Sequence, residues 1–232
     1  MAKFYQVGGC VRDAIIGRPC KDIDYSVEAD SFEDMRQAIL DLGGRIVQEK
    51  SEYHTIRALV PKIGACDYVW CRKEGPYSDG RHPDWVERGS IYDDLARRDF
   101  TMNAIAEDSN GYYIDPHDGI GDIHSQIIAC VGDPLQKMHE DGLRILRAIR
   151  FSAQLGFSID LEIRGILENP MVSNIIENQK IERVREELEK GFKADTPRML
   201  SLLAYYPYVT EPLFGCGLWL LPTLKGVLEK RK

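Results

Sequence analysis

The chain has 232 residues, of which 44% are hydrophobic and 29% are charged, so it is long enough for one large globular domain or two small ones. A formal net charge of -7 argues against a protein that coats nucleic acid without specificity, because such binding needs Lys and Arg to neutralise phosphates. No apolar run approaches the roughly 18 residues of a membrane span, and the first residues lack the apolar stretch of a signal peptide, so we expect a cytoplasmic location.

The first part of the sequence alternates short strands and helices. Gly8 and Gly9 interrupt the first strand pattern, and Ser31 or Asp30 can cap the second helix. The predicted elements are a strand at 4–7, a helix at 11–16, a strand at 22–27 and a helix at 32–42.

The next part is predicted to form strands, a polar loop and a longer helix. The predicted elements are strands at 45–48, 55–60 and 65–71, the loop KEGPYSDGRHPDW at 73–85, and a helix at 92–106. The polar composition of the loop indicates a mobile segment. After the helix, Asn110 and Gly111 predict a hairpin turn, and the segment DPHDGIGDI is rich in turn residues.

Beyond Val131 the strand signals fade and helical periodicity dominates. The predicted helices lie at 134–155, 161–168, 181–192 and 198–205. Strands followed by helices are typical of an α+β fold. The sequence therefore predicts a strand-and-helix unit at 1–130, a helical unit at 131–195 and a short helical segment at 196–232.

Two acidic residues lie close together soon after the pair of glycines. In the strand DIDYSV, Asp22, Asp24 and Ser26 share one face, and the Cα atoms of the two acids are ~6 to 7 Å apart. Like charges at this distance repel, whereas a shared Mg²⁺ that also binds substrate phosphates would stabilise them. Gly8 and Gly9 would let backbone N–H groups approach a triphosphate at a helix N-terminus. Each motif alone also fits a capped turn or a solvated strand end, and their order along the chain favours a functional site.

Three other residues can complete this site. Asp67, at the start of the apolar run DYVWC, is a candidate third carboxylate for two-metal phosphoryl chemistry, with an acid at a strand edge as the alternative. Arg12 and Asp13 in GGCVRD can bind phosphate and brace the glycine turn, or form a salt bridge at a helix start.

The segment RRDFTMNA offers a second group of polar side chains. On a helix, Asp99 and Asn103 share a face and can hydrogen-bond a ribose. Arg97 and Arg98 would then meet phosphate. The alternative is a charge pair at the N-terminus of a helix.

The segment HEDGLRILRAIRF places Asp141 and Arg144 three residues apart on a predicted helix. An Asp oxygen can accept a hydrogen bond from an exocyclic amine, and an Arg can donate to the adjacent ring nitrogen. Cytosine and adenine offer both groups, whereas uracil and guanine present a carbonyl oxygen that a carboxylate repels. The pair predicts selection of C and A over U and G, with a salt bridge as the alternative. Arg147 and Arg150 continue the series at three-residue spacing.

With these residues identified, six ordered blocks resemble the class II tRNA nucleotidyltransferases, the family of CCA-adding enzymes and their poly(A) polymerase relatives. The blocks are GGCVRD with DID, CRKEGPYSDGRHP, RRDFTMNAIA, DPHDGIGDI, EDGLRILRAIRF and IERVREELEK. The resemblance implies a nucleotidyltransferase head with a mixed sheet, followed by an all-α neck. It also implies a Mg²⁺-dependent reaction in which the tRNA 3′-hydroxyl attacks the α-phosphate of CTP or ATP and releases pyrophosphate.

The resemblance further implies a role for each candidate residue. Those that would act in catalysis are Asp22, Asp24 and Asp67, the first two as metal ligands. Those that would bind the nucleotide are Gly8, Gly9, Arg12, Arg98, Asp99, Asn103, Asp141, Arg144, Arg147 and Arg150. Among these, Asp141 and Arg144 would be the template for the incoming base. Those that would brace the neck helices are Glu182, Arg183 and Glu187.

Activities differ within the family, and the sequence favours complete CCA addition. Poly(A) polymerases of this type carry a basic, aromatic signature after the DxD strand, and GGRIVQEKSEYHTIRALV has no counterpart. CC-adding enzymes have a shortened or altered flexible loop, whereas this loop keeps Arg72, Glu74, Tyr77 and Asp79 in a family-like spacing. Addition of A alone remains open. A noncatalytic nucleotide- or RNA-binding module is the alternative of a different class, and the retained acids argue against it.

Two departures from the family pattern concern packing and length. Tyr68, Val69 and Trp70 follow the third acid, where small hydroxyl residues are usual. Only about 40 residues follow the neck, whereas relatives continue into helical domains that grip the tRNA elbow. The expected partners are the tRNA 3′ end, CTP and ATP, without a membrane. A homo-oligomer or a second chain would supply the elbow contacts, and the apolar run at 218–221 would cap the neck or form an oligomer contact.

Overall fold

The computed structural model describes residues 2–20, 22–77 and 83–215 and confirms the predicted α+β class. The strands are β1 (Lys3–Val7), β2 (Asp24–Glu28), β3 (Arg45–Lys50), β4 (Thr55–Val60), β5 (Gly64–Trp70), β6 (Arg72–Glu74), β7 (Val86–Arg88), β8 (Ala106–Glu107), β9 (Tyr113–Ile114), β10 (Ile127–Ile128) and β11 (Ser158–Ile159). The helices are α1 (Gly9–Ile16), α2 (Phe32–Asp41), α3 (Ile91–Ala96), α4 (Gly119–Ser125), α5 (Pro134–Glu140), α6 (Leu143–Leu155), α7 (Leu161–Leu167), α8 (Met171–Glu177), α9 (Ile181–Ala194), α10 (Thr196–Tyr205) and α11 (Pro207–Phe214).

A seven-stranded mixed sheet forms the centre of the first half, in the order β3-β4-β5-β2-β1-β8-β9. Its strands pair antiparallel except β2 and β5, which run parallel with Asp24 opposite Asp67. Helix α2 covers one face, where its Met35 and Ile39 share a buried cluster with Ile56 of β4. Because strand side chains alternate, the residues on either side of Ile56 project from the opposite face.

Strand β2 is shorter than predicted, because it begins at Asp24 rather than at Asp22. Its neighbours explain the difference. Val7, the last residue of β1, lies opposite Asp24, and the chain then turns away at Gly8 with φ of 72°. Asp22 therefore has no partner on β1 and lies before the strand, exposed to solvent.

The prediction of a single helix at 92–106 is wrong. Helix α3 ends at Ala96, the chain turns through 97–99, and Phe100 is extended and forms a bridge with Cys130. Thr101 donates its N–H to the carbonyl of Ala129 (3.0 Å). Pairing with a distant segment thus overrides the local helical preference and buries Phe100 in the core.

The helix predicted at 134–155 is likewise two helices, α5 and α6, separated at Asp141 and Gly142. A Cβ at Gly142 would lie 2.7 Å from Ile175 Cγ2, so this glycine lets α6 begin in close contact with α8. The carboxylate of Asp141 accepts a hydrogen bond from the N–H of Leu143 (3.1 Å) at the start of α6. The break therefore turns Asp141 from a mid-helix residue into a residue at a helix start.

The largest buried cluster crosses the predicted boundary near residue 130. It contains Phe100 and Met102 from the sheet side together with Ile145 and Ile149 of α6. Phe100 also contacts Phe151 edge-on, with ring centroids 5.8 Å apart. A small parallel sheet, β10 with β11, spans the same boundary. The division at 130 and 195 therefore stays a prediction, and the two parts share one core.

Other expectations have mixed outcomes. The hairpin at Asn110 and Gly111 is confirmed between β8 and β9, and the turn-rich DPHDGIGDI contains α4. The flanks of the polar loop pair as β6 and β7, while its middle, 78–82 with Asp79, lies outside the described residues. Residues 216–232, which include the apolar run at 218–221, also lie outside the described residues. Helices α8 and α11 were not predicted. In the described part of the chain, no helix has the length and apolar character needed to cross a membrane.

We expect Ile145→Ala to lower the free energy of unfolding by about 2–5 kcal/mol, because Ile145 is fully buried (0% exposed) in the shared core. The matched control is Ile181→Ala, since Ile181 is 54% exposed at the start of α9 and should change stability by less than about 0.5 kcal/mol. Denaturant unfolding of both variants measures the difference. Equal effects would contradict the assignment of α6 to the core.

Candidate active site

A cleft of about 600 Å³ opens between the face of the sheet that α2 leaves uncovered and the helices that follow. The sequence candidates that line it are Gly8, Gly9, Arg12, Asp24, Asp67, Arg98, Asp99, Asn103, Asp141, Arg144, Arg147 and Arg150. Asp22 and Asp13 lie outside this lining, although the charge of Asp22 acts on Asp24 and Asp13 pairs with Arg12. The fold thus gathers residues from four separate motifs into one space.

The glycine turn forms one end of the cleft. Gly8 has a positive φ of 72°, which favours glycine, and a Cβ there would lie 3.1 Å from Arg98 Nη1. Helix α1 begins at Gly9, so its first N–H groups lie at this end of the cleft. Backbone donors without partners inside the helix, the positive end of α1 and a guanidinium together make a site for an anion such as phosphate.

Two carboxylates face each other across the parallel strands. Asp24 on β2 lies directly opposite Asp67 on β5. Loss of hydration in the concave cleft, followed by the negative charge of Asp67, raises the pKa of Asp24 above its usual value. On the side away from Asp24, Asp67 forms a salt bridge with Arg57 Nη1 (3.3 Å). The pair therefore carries a repulsion that a bound cation would relieve.

The donor set fits Mg²⁺ bound together with a substrate. Asp24 and Asp67 offer hard oxygen ligands, and their mutual repulsion is the property that a divalent cation would remove. Within 2–20, 22–77 and 83–215, no group of three or more His, Cys, Asp or Glu side chains is placed to hold a metal ion alone. One or two carboxylates completed by substrate phosphates and water match the way proteins usually bind Mg²⁺.

A buried acid that the sequence analysis missed holds the phosphate-side arginines in place. Asp94 is fully buried and accepts hydrogen bonds from Arg97 (2.6 Å), Arg98 (3.1 Å) and Ser26 Oγ (2.7 Å). Burial alone would raise the pKa of Asp94, but the guanidiniums of Arg97 and Arg98 lower it to about 2. The signal was present in DDLARRD, where Asp94 precedes the two arginines by three and four residues.

Asp99 and Asn103 meet as predicted, although not on a helix. Asn103 Nδ2 donates to Asp99 Oδ1 (3.1 Å), and Arg12 Nη1 donates to Asn103 Oδ1 (2.8 Å). Asp99 also accepts a two-point contact from Arg147, with Nε at 2.7 Å. Burial would raise the pKa of Asp99, but the charge of Arg147 and the Asn103 amide lower it to about 2. These groups fix the wall between the glycine turn and α6.

Asp141 and Arg144 both line the cleft, but they do not form the salt bridge given above as the alternative. Asp141 pairs with Arg183 of α9 through Nη2 (2.9 Å) and Nη1 (3.3 Å). Arg144 donates to Glu140 (2.7 Å) and to the carbonyls of Lys137 (2.8 Å) and Arg97 (3.2 Å). Each side chain is thus held by other partners.

Phe151 is a second cleft residue that sequence reasoning missed. Its ring is contacted by the guanidiniums of Arg12, Arg147 and Arg150, at 5.1, 5.6 and 3.8 Å from the ring centroid. The block HEDGLRILRAIRF ends on this residue, but only the fold shows that three cations gather around it. Arg97, which was predicted to meet phosphate beside Arg98, also lines the cleft. Further lining residues that were not predicted as nucleotide ligands are Val7, Thr55, Val69, Gln154 and Arg183.

The charged residues that line the cleft are mainly basic, in contrast to the chain as a whole. Seven arginines and four aspartates line the cleft, whereas the chain carries a net charge of -7. Concave surfaces of one sign concentrate the electrostatic field, so the cleft attracts anions. The arrangement suits a polyphosphate bound between the glycine turn and the arginines of α6.

Comparison with known proteins agrees with this geometry. The sequence model described as the Poly A polymerase head domain matches residues 4–129, more than half of the chain. The CCA-adding enzyme of Lactiplantibacillus plantarum is 34% identical over 96% of this chain and 56% of its own length. The CCA-adding enzyme of Limosilactobacillus fermentum is 39% identical over 80% of this chain and 45% of its own length.

Solved structures give the same result. The crystal structure of the Bacillus stearothermophilus CCA-adding enzyme in complex with CTP has a TM-score of 0.78 and 30% identity, covering 97% of this chain and 52% of that one. A tRNA nucleotidyltransferase complexed with a primer tRNA and an incoming ATP analogue has a TM-score of 0.75 and 26% identity, covering 99% and 63%. The chain spans about half the length of the relatives that it matches. On the sequence match and the shared head-and-neck fold together, the chain belongs to the family of the poly(A) polymerase head domain.

Proposed function

We propose that this chain adds C, C and then A to the 3′ end of tRNA, using CTP and ATP and releasing pyrophosphate. One observation carries the proposal: a single cleft unites the Asp24–Asp67 pair, the Gly8 turn and the Asp141 and Arg144 side chains. Relatives named as CCA-adding enzymes, and solved relatives with CTP or with primer tRNA and an ATP analogue, support it. The cytoplasmic location expected from the sequence belongs to the same proposal.

The triphosphate would bind at the glycine turn. The first N–H groups of α1 and the guanidinium of Arg98 provide donors there, and Asp94 keeps Arg98 in position. Arg12 is held by Asn103 and Asp13, so its charge also stays beside the turn. Preorganised donors of this kind stabilise charge on a phosphoryl group without reorganising during the reaction.

The α-phosphate would then lie beside the acids, within reach of the primer hydroxyl. We propose that Asp24 and Asp67, with Asp22 nearby, hold Mg²⁺ at this point. When bound, the ion would polarise a phosphoryl oxygen and make the hydroxyl a better nucleophile. The raised pKa of Asp24, which reflects loss of hydration in the cleft and then the charge of Asp67, agrees with the pairing of the two acids in supporting a cation site here.

The base would be selected by Asp141 and Arg144. Arg183 and the N–H of Leu143 orient the Asp141 carboxylate and still leave it a lone pair to accept from an exocyclic amine. Three of the five donors of Arg144 are used by its contacts in the described part of the chain, so others remain for a ring nitrogen. The two side chains are therefore fixed in place and can still bind a base.

The direct test uses tRNA transcripts that end before CCA, after C, or after CC, with CTP alone, ATP alone or both. We expect two C residues and one A on the first transcript, followed by arrest, with products resolved at single-nucleotide resolution. Addition of A to the CC-ended transcript alone would replace the proposal with an A-adding enzyme. No extension of any transcript would contradict nucleotide transfer by this chain.

We expect Asp24→Asn to lower the rate of nucleotide addition by at least about 10³-fold, because one ligand of the proposed cation site is lost. The melting temperature should stay the same or rise, since the repulsion with Asp67 disappears. Asp30→Asn is the matched control, because Asp30 is an exposed acid just beyond the same strand and pairs with Arg88. Retention of activity in Asp24→Asn would refute the assignment of the acids.

We expect Asp141→Asn to reduce the preference for CTP over UTP about 10- to 100-fold, because an amide can donate to the carbonyl that a carboxylate repels. The ratio of kcat/KM for the two nucleotides is the measurement. Glu186→Gln, an exposed change on α9, makes the same chemical substitution away from the cleft and should leave the ratio unchanged. An unchanged ratio in Asp141→Asn would exclude this residue from base selection.

A further inference from the structure

Four side chains lie in one row across the sheet, on the face that forms the cleft. Gln48 of β3 is opposite Arg57 of β4, Arg57 is opposite Asp67 of β5, and Asp67 is opposite Asp24 of β2. Residues directly opposite each other on neighbouring strands project to the same face. Arg57 therefore stands one strand beyond the acid pair, on the side away from the Gly8 turn, which follows β1.

The pairing of Arg57 with Asp67 has little to do with stability. The guanidinium lies 3.3 Å from the carboxylate, but the two side chains are 47% and 39% exposed. Ion pairs this accessible to water contribute little to folding. The exposed part of Arg57 still has donors directed to solvent, so the residue can bind an anion while it remains beside Asp67.

Other cations lie on the same outer part of the sheet face. Lys50 of β3 is opposite Thr55, which lines the cleft, and Arg45 of β3 is opposite Leu59. Lys50 and Arg45 are both exposed. Arg45 and Lys50 are the two ends of β3, so together with Arg57 on the neighbouring strand they form a basic strip along this edge of the face, in a chain whose overall charge is negative. Such a strip suits the phosphate backbone of a nucleic acid strand.

The reaction geometry indicates which strand would lie there. In phosphoryl transfer, the attacking and leaving oxygens lie roughly in line on opposite sides of the phosphorus. If the leaving pyrophosphate is held at the Gly8 turn, beyond β2 in one direction, the attacking hydroxyl must approach from the other direction. That direction is the side of β5 and β4, where Arg57 lies.

We propose that Arg57 binds a backbone phosphate near the 3′ end of the RNA primer and so positions the terminal hydroxyl beside the acid pair. This inference rests on the proposed function for the identity of the reaction, and it adds a binding residue on the primer side. Lys50 and Arg45 extend the same site toward the β3 edge. The Gly8 turn, where the triphosphate would bind, is on the opposite side of the acids, so we expect loss of Arg57 to act on the RNA and to leave CTP binding unchanged.

The test compares Arg57→Ala and Arg57→Lys with Arg36→Ala. Arg36 is the matched control because it is also an exposed arginine held by carboxylates, Glu33 and Glu49, but lies on α2, which covers the other face of the sheet. The RNA probe is a fluorescent tRNA acceptor hairpin that ends before CCA. Anisotropy gives its Kd across a salt series without nucleotide, and steady-state kinetics give KM for the hairpin and for CTP.

We expect Arg57→Ala to raise the Kd and KM for the hairpin about tenfold, and to reduce the slope of log Kd against log salt by about 0.7, the value for one phosphate contact on a single strand. KM for CTP should change less than about twofold. Arg57→Lys should recover most of the binding because it keeps the charge, and Arg36→Ala should behave as wild type.

The inference would be overturned by unchanged hairpin binding in Arg57→Ala, by an equal loss in Arg36→Ala, or by a wild-type chain that does not bind the hairpin. A rise in KM for CTP without a rise in KM for the hairpin would mean that Arg57 acts through the acid pair and not on the RNA. That result would also overturn the inference. The proposed function fails separately. Hairpin binding that depends on Arg57 without any extension would keep the primer site and refute nucleotide transfer.

Discussion

The cleft depends on one chain of buried charges that joins the sheet side to the helices. Arg147 of α6 contacts Asp99 on one side and Glu187 of α9 on the other, and Glu187, only 3% exposed, also accepts from Arg150 Nε (2.5 Å). Removing one member of such a network leaves a buried charge unpaired, at a cost of about 3–5 kcal/mol. The network therefore ties Asp99, on the sheet side, to α6 and α9, both of which contribute residues to the cleft.

The same network explains how a chain with a net charge of -7 keeps so many cations together. Arg12, Arg147 and Arg150 surround the ring of Phe151, which offers each guanidinium an attractive aromatic face. Acids that do not line the cleft pair with most of the cleft arginines: Asp13 with Arg12, Asp94 with Arg97 and Arg98, Glu140 with Arg144, and Glu187 with Arg150. The guanidiniums are therefore held in position around the cleft, so they can meet a phosphate ligand without reorganising.

The sequence predicted elements whose signals are local and failed where distant contacts decide the structure. Strand β4 and helix α2 were found from alternation and from the Ser31 cap, which accepts from the N–H of Asp34 (3.1 Å). The helical period continued through 97–99 and 140–142, but strand pairing with 129–131 and the close contact of Gly142 with α8 break both helices. The site residues emerged because they sit in short motifs, whereas the Asp141–Arg183 pair joins residues 42 positions apart.

The side chains of β5 point alternately to the two faces of the sheet, and this decides whether the bulky residues after the third acid crowd the cleft. Tyr68 and Trp70 are buried on the α2 side of the sheet, where Tyr68 stacks on Tyr25 with ring centroids 5.2 Å apart. Asp67 and Val69 project into the cleft instead. Large side chains at 68 and 70 therefore anchor the strand from behind and do not crowd the acids. The cleft side of the sheet stays open from Asp24 to the β3 edge. This open face leaves room beside the acid pair for the RNA primer proposed above.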